Sequence, residues 1–368
     1  MTGKNNHFPK KIFIERNSIN FPFTKKILEN NSDVPTEVIE NAQNLVEEIK
    51  SLRDPWGEGK KYILLTTQRG EFVKPCPCTP HYIGCNYFII NLDINCPMDC
   101  TYCILQQYLT NPVITVYVNK EDLWNQLDVF LSNRRNRFIR IGTGELGDSL
   151  AIDPITENSK DLISYFRKKL DILFELKTKS INIENVLETP PAENIIIAWS
   201  LNSEKIAQEE EIGAPSVDER INAAKRVISR GYRVAFHFDP IILYPGWEKG
   251  YLQVLKCVLE SIDPARIAWI SLGTLRFHPS LKPIIRERFP LTKIIYGEFI
   301  SGKDGKLRYF KSIRLEIYKK IVDYIRSNKG KKIRIYFCME NKEIWEKILK
   351  RKPTGNEDIE KYLSSPLG

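Results

Sequence analysis

Three cysteines, Cys96, Cys100 and Cys103, stand at C-x3-C-x2-C spacing in one short stretch, just after the apolar run that begins at Tyr87. A loop this tight brings three thiolates to three corners of one iron–sulfur cube, and no fourth cysteine lies close by in a matching pattern. A cube held at three corners keeps one iron open, and an open metal position binds a reactant where a closed one does not. Structural zinc sites and buried free thiols are the other uses of such residues. Zinc sites usually pair two C-x2-C knuckles, and only one is present.

The rest of the chain must build a frame around that loop. Its 368 residues suffice for one large domain or two ordinary ones. No apolar run approaches the roughly 20 residues of a membrane helix. Residues 1–11 lack the hydrophobic region of an export signal, so the eight cysteines read as metal-binding or catalytic in a reducing, cytoplasmic setting. Charge is uneven. Between Arg276 and Lys352 there are 22 Lys and Arg against 8 Asp and Glu, an excess of +14 against +9 for the whole chain, which leaves −5 elsewhere. A polyanion-binding face and a set of solvated helix surfaces both fit that asymmetry.

Residues 1 to about 60 read as an irregular and helical lead-in, with helical spacing from Pro35 to Ile49. A loop rich in Gly, Pro and Cys follows, carrying Cys76, Cys78, His81 and Cys85, as metal ligands or as small buried groups. After the cysteine loop, strands are expected at 138–142, 173–177, 195–200, 233–238 and 267–272, with helices near 121–134, 157–170, 217–230 and 248–262. Apolar strands separated by helices predict a parallel sheet buried on both faces. With the strand before Cys96 this makes six βα units. The fold expected is therefore α/β, a partial (β/α)6 TIM-type barrel over 86–275. An N-terminal extension (1–85) and a basic C-terminal α/β segment (276–368) flank it. Chemistry in such barrels collects at the C-terminal strand ends. His237 and Asp239 fall there on one strand face, as a catalytic pair or as satisfied core groups.

These features resemble the radical S-adenosylmethionine superfamily, and within it the spore photoproduct lyase family. The resemblance rests on the cysteine loop with Tyr102, on Gly142-Thr143-Gly144-Glu145, on Thr178-Lys179, Ser200 and Asn202, and on Gly246-Trp247-Glu248-x-Gly250-Tyr251. It implies a [4Fe-4S] cluster on Cys96, Cys100 and Cys103, and S-adenosyl-L-methionine held by Thr143, Gly144, Glu145, Lys179, Ser200 and Asn202. It also implies a 5'-deoxyadenosyl radical, and an electron donor such as a flavodoxin or ferredoxin. DNA carrying a thymine-dimer lesion is the substrate implied, with RNA, a peptide or a small molecule as alternatives. A nucleic-acid-binding protein with a structural or redox-sensing cluster is a reading of another class. Tyr102, His237 and Asp239 are the catalytic candidates. The hairpin expected at 302–309, with its Asp-Gly turn, offers Lys303, Lys306, Arg308 and Tyr309 to nucleic acid. Two departures stand out. The lyases carry a hydrogen-donating cysteine on the second barrel strand, where this chain has Gly142. They also carry a relay tyrosine after the third cluster cysteine, where it has Ile104. Another group must return the hydrogen (Tyr102, Cys338 or a thiol of the 76–85 loop), or the reaction ends differently.

Overall fold

The computed structural model describes residues 8–78, 81–134 and 138–364. Two sheets share the chain. Strands β1 (Lys11–Glu15), β2 (Thr36–Ile39) and β3 (Tyr62–Thr66) begin an N-terminal sheet. Strands β4 (Val73–Pro75) and β5 (Tyr87–Ile90) begin the second. The short β6 (Asp93–Ile94) and β7 (Asp99–Cys100) flank Cys96, and β8 (Ile114–Tyr117) returns to the first sheet, whose order is β2-β1-β3-β8-β6. The expected irregular and helical lead-in is therefore corrected to a largely parallel sheet. It has an apolar core of its own, built on Ile12, Ile14, Ile63, Leu65, Ile114 and Val116. Within the stretch read as one helix from Pro35 to Ile49, the structure has β2 and then a helix, Ala42–Lys50.

The second sheet is the curled half-barrel. It continues through β9 (Ile139–Thr143), β10 (Ile172–Thr178) and β11 (Ile195–Ser200). A two-residue β12 (Glu211–Ile212) leaves the sheet to pair antiparallel with β7. Strands β13 (Arg233–Ile241) and β14 (Ile267–Thr274) resume it. Outside it, β15 (Arg276–Phe277), β16 (Phe299–Ser301) and β17 (Leu307–Tyr309) form a small antiparallel sheet, and β18 (Ile335–Phe337) closes the order β18-β14-β13-β11-β10-β9-β5-β4. All neighbours in it are parallel except β4 with β5. Each of the six predicted strands is present, and β18, from the basic C-terminal segment, adds a seventh parallel one.

Strand β11 is a near-continuous apolar run, as burial on both faces requires, whereas β9, β10 and β13 carry charged side chains into the barrel interior. Ile195, Ile196, Ile197, Ala198 and Trp199 of β11 are all 0% exposed. Burying each large aliphatic side chain contributes about 1.5–3 kcal/mol. The helix Val217–Arg230 shows how local chemistry fixes an element. Ser216 and Glu219 form a capping box at its start, Gly231 ends it at φ 111°, and Ile221, Ala224 and Val227 are buried. No helix among the described residues is long and apolar enough to cross a membrane.

A half-barrel leaves a gap between its edge strands. Here the β4–β5 connection spans it: Ile83 pairs antiparallel with Glu340, just past β18, and its N–H donates to the Glu340 carbonyl at 2.9 Å. Arg220, fully buried on the capped helix, meets the buried Glu211 carboxylate of β12 at 2.6 Å as an ion pair. It also donates to the carbonyls of Pro215 (2.9 Å) and Ser200 (3.1 Å). Arg220→Ala is expected to destabilise the fold by about 3–5 kcal/mol, because the buried carboxylate loses a principal counter-charge. A urea midpoint equal to that of the unchanged protein would refute this role.

Candidate active site

The cysteine loop is shaped by groups from distant parts of the chain. Lys60, 6% exposed, donates to Asn95 Oδ1 at 3.0 Å and to the carbonyls of Cys96 and Met98 at 2.9 and 2.6 Å. Gln106 Nε2 donates to the carbonyls of Cys100, Thr101 and Cys103 at 3.2–3.3 Å. Arg288 donates to Asp54 at 2.7 Å, to Asp99 at 2.8 Å and to Gln106 Oε1, tying the loop to segments on both sides of it in the chain.

Three thiols in this loop fit an iron–sulfur cluster. Burial pushes the Cys96 thiol up to about 11 and the Cys100 thiol further, and Cys103 lies near enough to add to both. Without metal these two therefore stay protonated, so their thiolates form against the positive charge of iron. Among the described residues, no three His, Cys, Asp or Glu side chains converge on a single-ion position. The loop presents three thiols, the number that a cube with one open iron takes.

The proposed cofactor residues gather at the C-terminal ends of β9, β10 and β11. Thr143 ends β9, and its hydroxyl meets Ser149 Oγ at 2.6 Å. Gly144 has φ 87°, and a β-carbon there would overlap the Lys177 carbonyl oxygen, so only glycine fits. Glu145 pairs with Lys177 at 3.1 Å. Lys179, just past β10, is held by its backbone N–H donating to Asp148 Oδ2 at 2.7 Å. Ser200 ends β11, and Asn202, 1% exposed, follows it.

Two positioning residues escaped the sequence reading. Asp148 accepts from the N–H groups of Leu150 (3.0 Å) and Ala151 (2.9 Å) and from Thr178 Oγ1 (2.5 Å), besides Lys179, and so sets the turn after β9 against the end of β10. Glu211 is more central. Its carboxylate accepts from the Tyr102 hydroxyl and from Asn202 Nδ2 at 3.4 Å, and it pairs with Arg220. Burial opposes the Glu211 charge, yet Lys179 and Arg220 hold its pKa low. Burial likewise opposes the Lys179 charge, and Glu211 holds its pKa high. The sequence clue was slight, a glutamate run (209–211) broken by Gly213.

His237 and Asp239 do share the inner face of β13, but each has its own partner. His237 Nε2 lies 2.7 Å from Glu175 Oε1, and Asp239 takes Arg276 in a bidentate pair at 2.7 and 3.0 Å. Arg276 also donates to Cys338 Sγ at 3.3 Å. Cys76, Cys85 and Cys338 meet at the mouth, where burial raises Cys76 and Cys338 and each feels Cys85. The predicted hairpin is present as β16 and β17, with Gly305 at φ 75° in its turn. Of its four named residues Lys303 is exposed and Lys306 half-buried. Arg308 is buried against Asp304 and the Tyr82 ring, and the Tyr309 hydroxyl accepts from the Leu243 N–H at 3.1 Å. Arg308 and Tyr309 thus build the hairpin's base. Beside it a cavity of about 480 Å³ is lined by His81, Lys303, Arg314, Lys342 and the ion pair of Lys311 with Glu343 at 2.8 Å, among others.

Gly142 accounts for one departure. A β-carbon there would overlap the Glu175 carbonyl oxygen and the Tyr87 hydroxyl, both at well under 3.0 Å. Neither cysteine nor alanine fits, so a thiol cannot be grafted at this place.

A family model described as spore photoproduct lyase matches residues 7–337. The curated spore photoproduct lyase of Geobacillus sp. is 24% identical over 297 residues, covering 79% of this chain and 85% of its own length. That of Clostridium acetobutylicum is 22% identical over 337 residues, covering 86% and 98%. Among solved structures, a spore photoproduct lyase double mutant with bound AdoMet and dinucleoside spore photoproduct is similar in fold. Its TM-score is 0.79 at 24% identity, covering 90% of this chain and 100% of that one.

Replacing Cys96, Cys100 or Cys103 with Ala is expected to abolish cofactor cleavage after anaerobic reconstitution with iron and sulfide. Cys257→Ala, on the helix Trp247–Ser261, is expected to leave iron content unchanged. Full cofactor cleavage by the Cys100→Ala protein would exclude the loop as the cluster site.

Proposed function

Since the chain belongs to the spore photoproduct lyase family, we propose that it cleaves a thymine-dimer photoproduct in DNA by radical S-adenosylmethionine chemistry. The observation that carries this reading is a convergence. The cysteine loop and the ends of β10 and β11 are linked through Glu211, and Asp148 ties the turn after β9 to the end of β10. When bound, the cluster and cofactor supply a 5'-deoxyadenosyl radical.

Cys96, Cys100 and Cys103 hold the cluster. Thr143, Gly144 and Glu145 receive the cofactor's ammonium, and Lys179, Ser200 and Asn202 line the remainder of its seat. Glu211 fixes Lys179 and Asn202 relative to the loop. Tyr102 acts as a positioning residue, because its hydroxyl is engaged by Glu211. Glu175 stays ionised: burial opposes its charge, but His237 and Arg140 hold its pKa down at about 2. Together Arg140, Glu175 and His237 form a polar floor below the substrate. Arg276 and Asp239 form part of the wall. DNA is bound at the cavity beside the hairpin, by Lys303 and Lys342. A flavodoxin or ferredoxin supplies the electron, and the enzyme works with DNA in the cytoplasm.

The direct test incubates the reduced, reconstituted protein with cofactor and dinucleoside spore photoproduct. Restored thymines together with 5'-deoxyadenosine are expected. Cofactor cleavage with the lesion untouched would assign the radical to another substrate.

DNA binding provides a second test. The log of affinity for duplex is expected to fall against log salt with a slope of about −0.9 per phosphate neutralised. Combined Lys303→Ala and Lys342→Ala changes should flatten that slope by roughly 0.9 for each phosphate no longer neutralised, equally on every sequence. A salt-independent affinity would exclude the cavity as a backbone-binding site.

A further inference from the structure

The reading as a lyase leaves one reactant unaccounted for. A carbon radical on the repaired thymine must gain a hydrogen atom, and Gly142 has no thiol to supply it. What fills the space beside Gly142 is the side chain of Tyr87, the first residue of β5. Its hydroxyl stands where a β-carbon at 142 would go. Tyr87 is 8% exposed, and its hydroxyl has no hydrogen-bond partner within the protein. A buried hydroxyl left unpaired costs about 1–3 kcal/mol, and such a group calls for an explanation beyond packing. Arg140, its partner across β9, lies 5.5 Å from the ring and holds it from below. One residue past Gly142 on β9 is Thr143, where the proposed cofactor seat begins.

We infer that Tyr87 is the hydrogen-atom donor of this enzyme, its phenolic O–H reaching the product radical from the place where relatives carry a thiol. This rests on the lyase reading above. A phenolic O–H and a thiol S–H are of comparable bond strength, so one can stand in for the other. The O–H bond of Tyr87 breaks homolytically, and its hydrogen atom forms the new C–H bond of the thymine. Tyr87 is left as a neutral phenoxyl radical. One electron and one proton then restore the phenol, the electron coming from the flavodoxin- or ferredoxin-class carrier that cofactor cleavage already requires. Burial, with Glu175 and Glu145 nearby, raises the Tyr87 pKa and keeps the transferable hydrogen in place. Of the competing groups, Tyr102 faces Glu211 and the Cys338 sulfur receives Arg276, while the thiols of the 76–85 loop are the rivals against which Tyr87 is tested.

The test compares wild type, Tyr87→Phe, Cys76→Ala and Cys338→Ala in D2O, with dinucleoside spore photoproduct as substrate. The readouts are 5'-deoxyadenosine, lesion consumed, and deuterium in the restored thymine. Wild type and both Cys variants are expected to deliver solvent deuterium into the product. Tyr87→Phe is expected to consume lesion while losing that deuterium, its radical ending in adducts. Freeze-quenched turnover of the wild type should also show a tyrosyl radical signal that narrows when the protein carries ring-deuterated tyrosine, a measurement that needs no variant. Clean, deuterated product from Tyr87→Phe would overturn the inference, as would loss of deuterium in Cys76→Ala or Cys338→Ala alone. A wild type that consumes no lesion would instead overturn the lyase reading.

Discussion

The buried carboxylate of Glu211 is the interaction on which the arrangement of this molecule depends. It is drawn out of water, which alone would neutralise it, and it stays charged because Lys179 and Arg220 stand beside it. From that single charge four elements take their positions: the cysteine loop through Tyr102, the end of β10 through Lys179, the turn after β11 through Asn202, and the helix Val217–Arg230 through Arg220. Pairing of β12 with β7 repeats the link through the backbone. A buried ion pair of this kind adds little net stability over an apolar contact, but breaking it is costly. Its value here is registry between a metal loop and a cofactor seat.

Electrostatics also divides the barrel interior into tiers. At the floor, Arg140 packs over Trp269 at 4.6 Å and lies 3.9 Å from Glu175. Above it Glu175 takes His237, and nearer the mouth Lys177 takes Glu145 and Arg276 takes Asp239. The charges nearer the mouth are thus paired, while the Arg140 guanidinium at the floor has no hydrogen-bond partner within the described residues.

Much of this was legible in the sequence. The cysteine loop declared itself because ligand spacing is set by the geometry of the metal centre, whatever the surrounding fold. Strands such as β11 and β14 were legible because burial on both faces demands an unbroken apolar run. The N-terminal sheet was not, since β2 is largely exposed and reads Thr-Glu-Val-Ile, with no alternation to mark it. Glu211 was hidden for the opposite reason, as one acid in a run that resembles a solvated helix end. Arg308 and Tyr309 show that charge and aromatic character do not report exposure. Both lie in the hairpin that was expected, and both face inward. The bearing of Tyr87 on Gly142 could not have been read at all, because it exists only once two strands lie side by side.

The reach of Arg288 has a consequence for how the chain matures. Its partners Asp54 and Asp99 lie 234 and 189 residues earlier, and the Ile83–Glu340 bridge closes the barrel from still further along. The cysteine loop is therefore ordered from outside its own segment, at a high loop-closure cost that slows folding. A chain cut short before residue 288 would keep all three thiols and lose the guanidinium that joins Asp54, Asp99 and Gln106 around them.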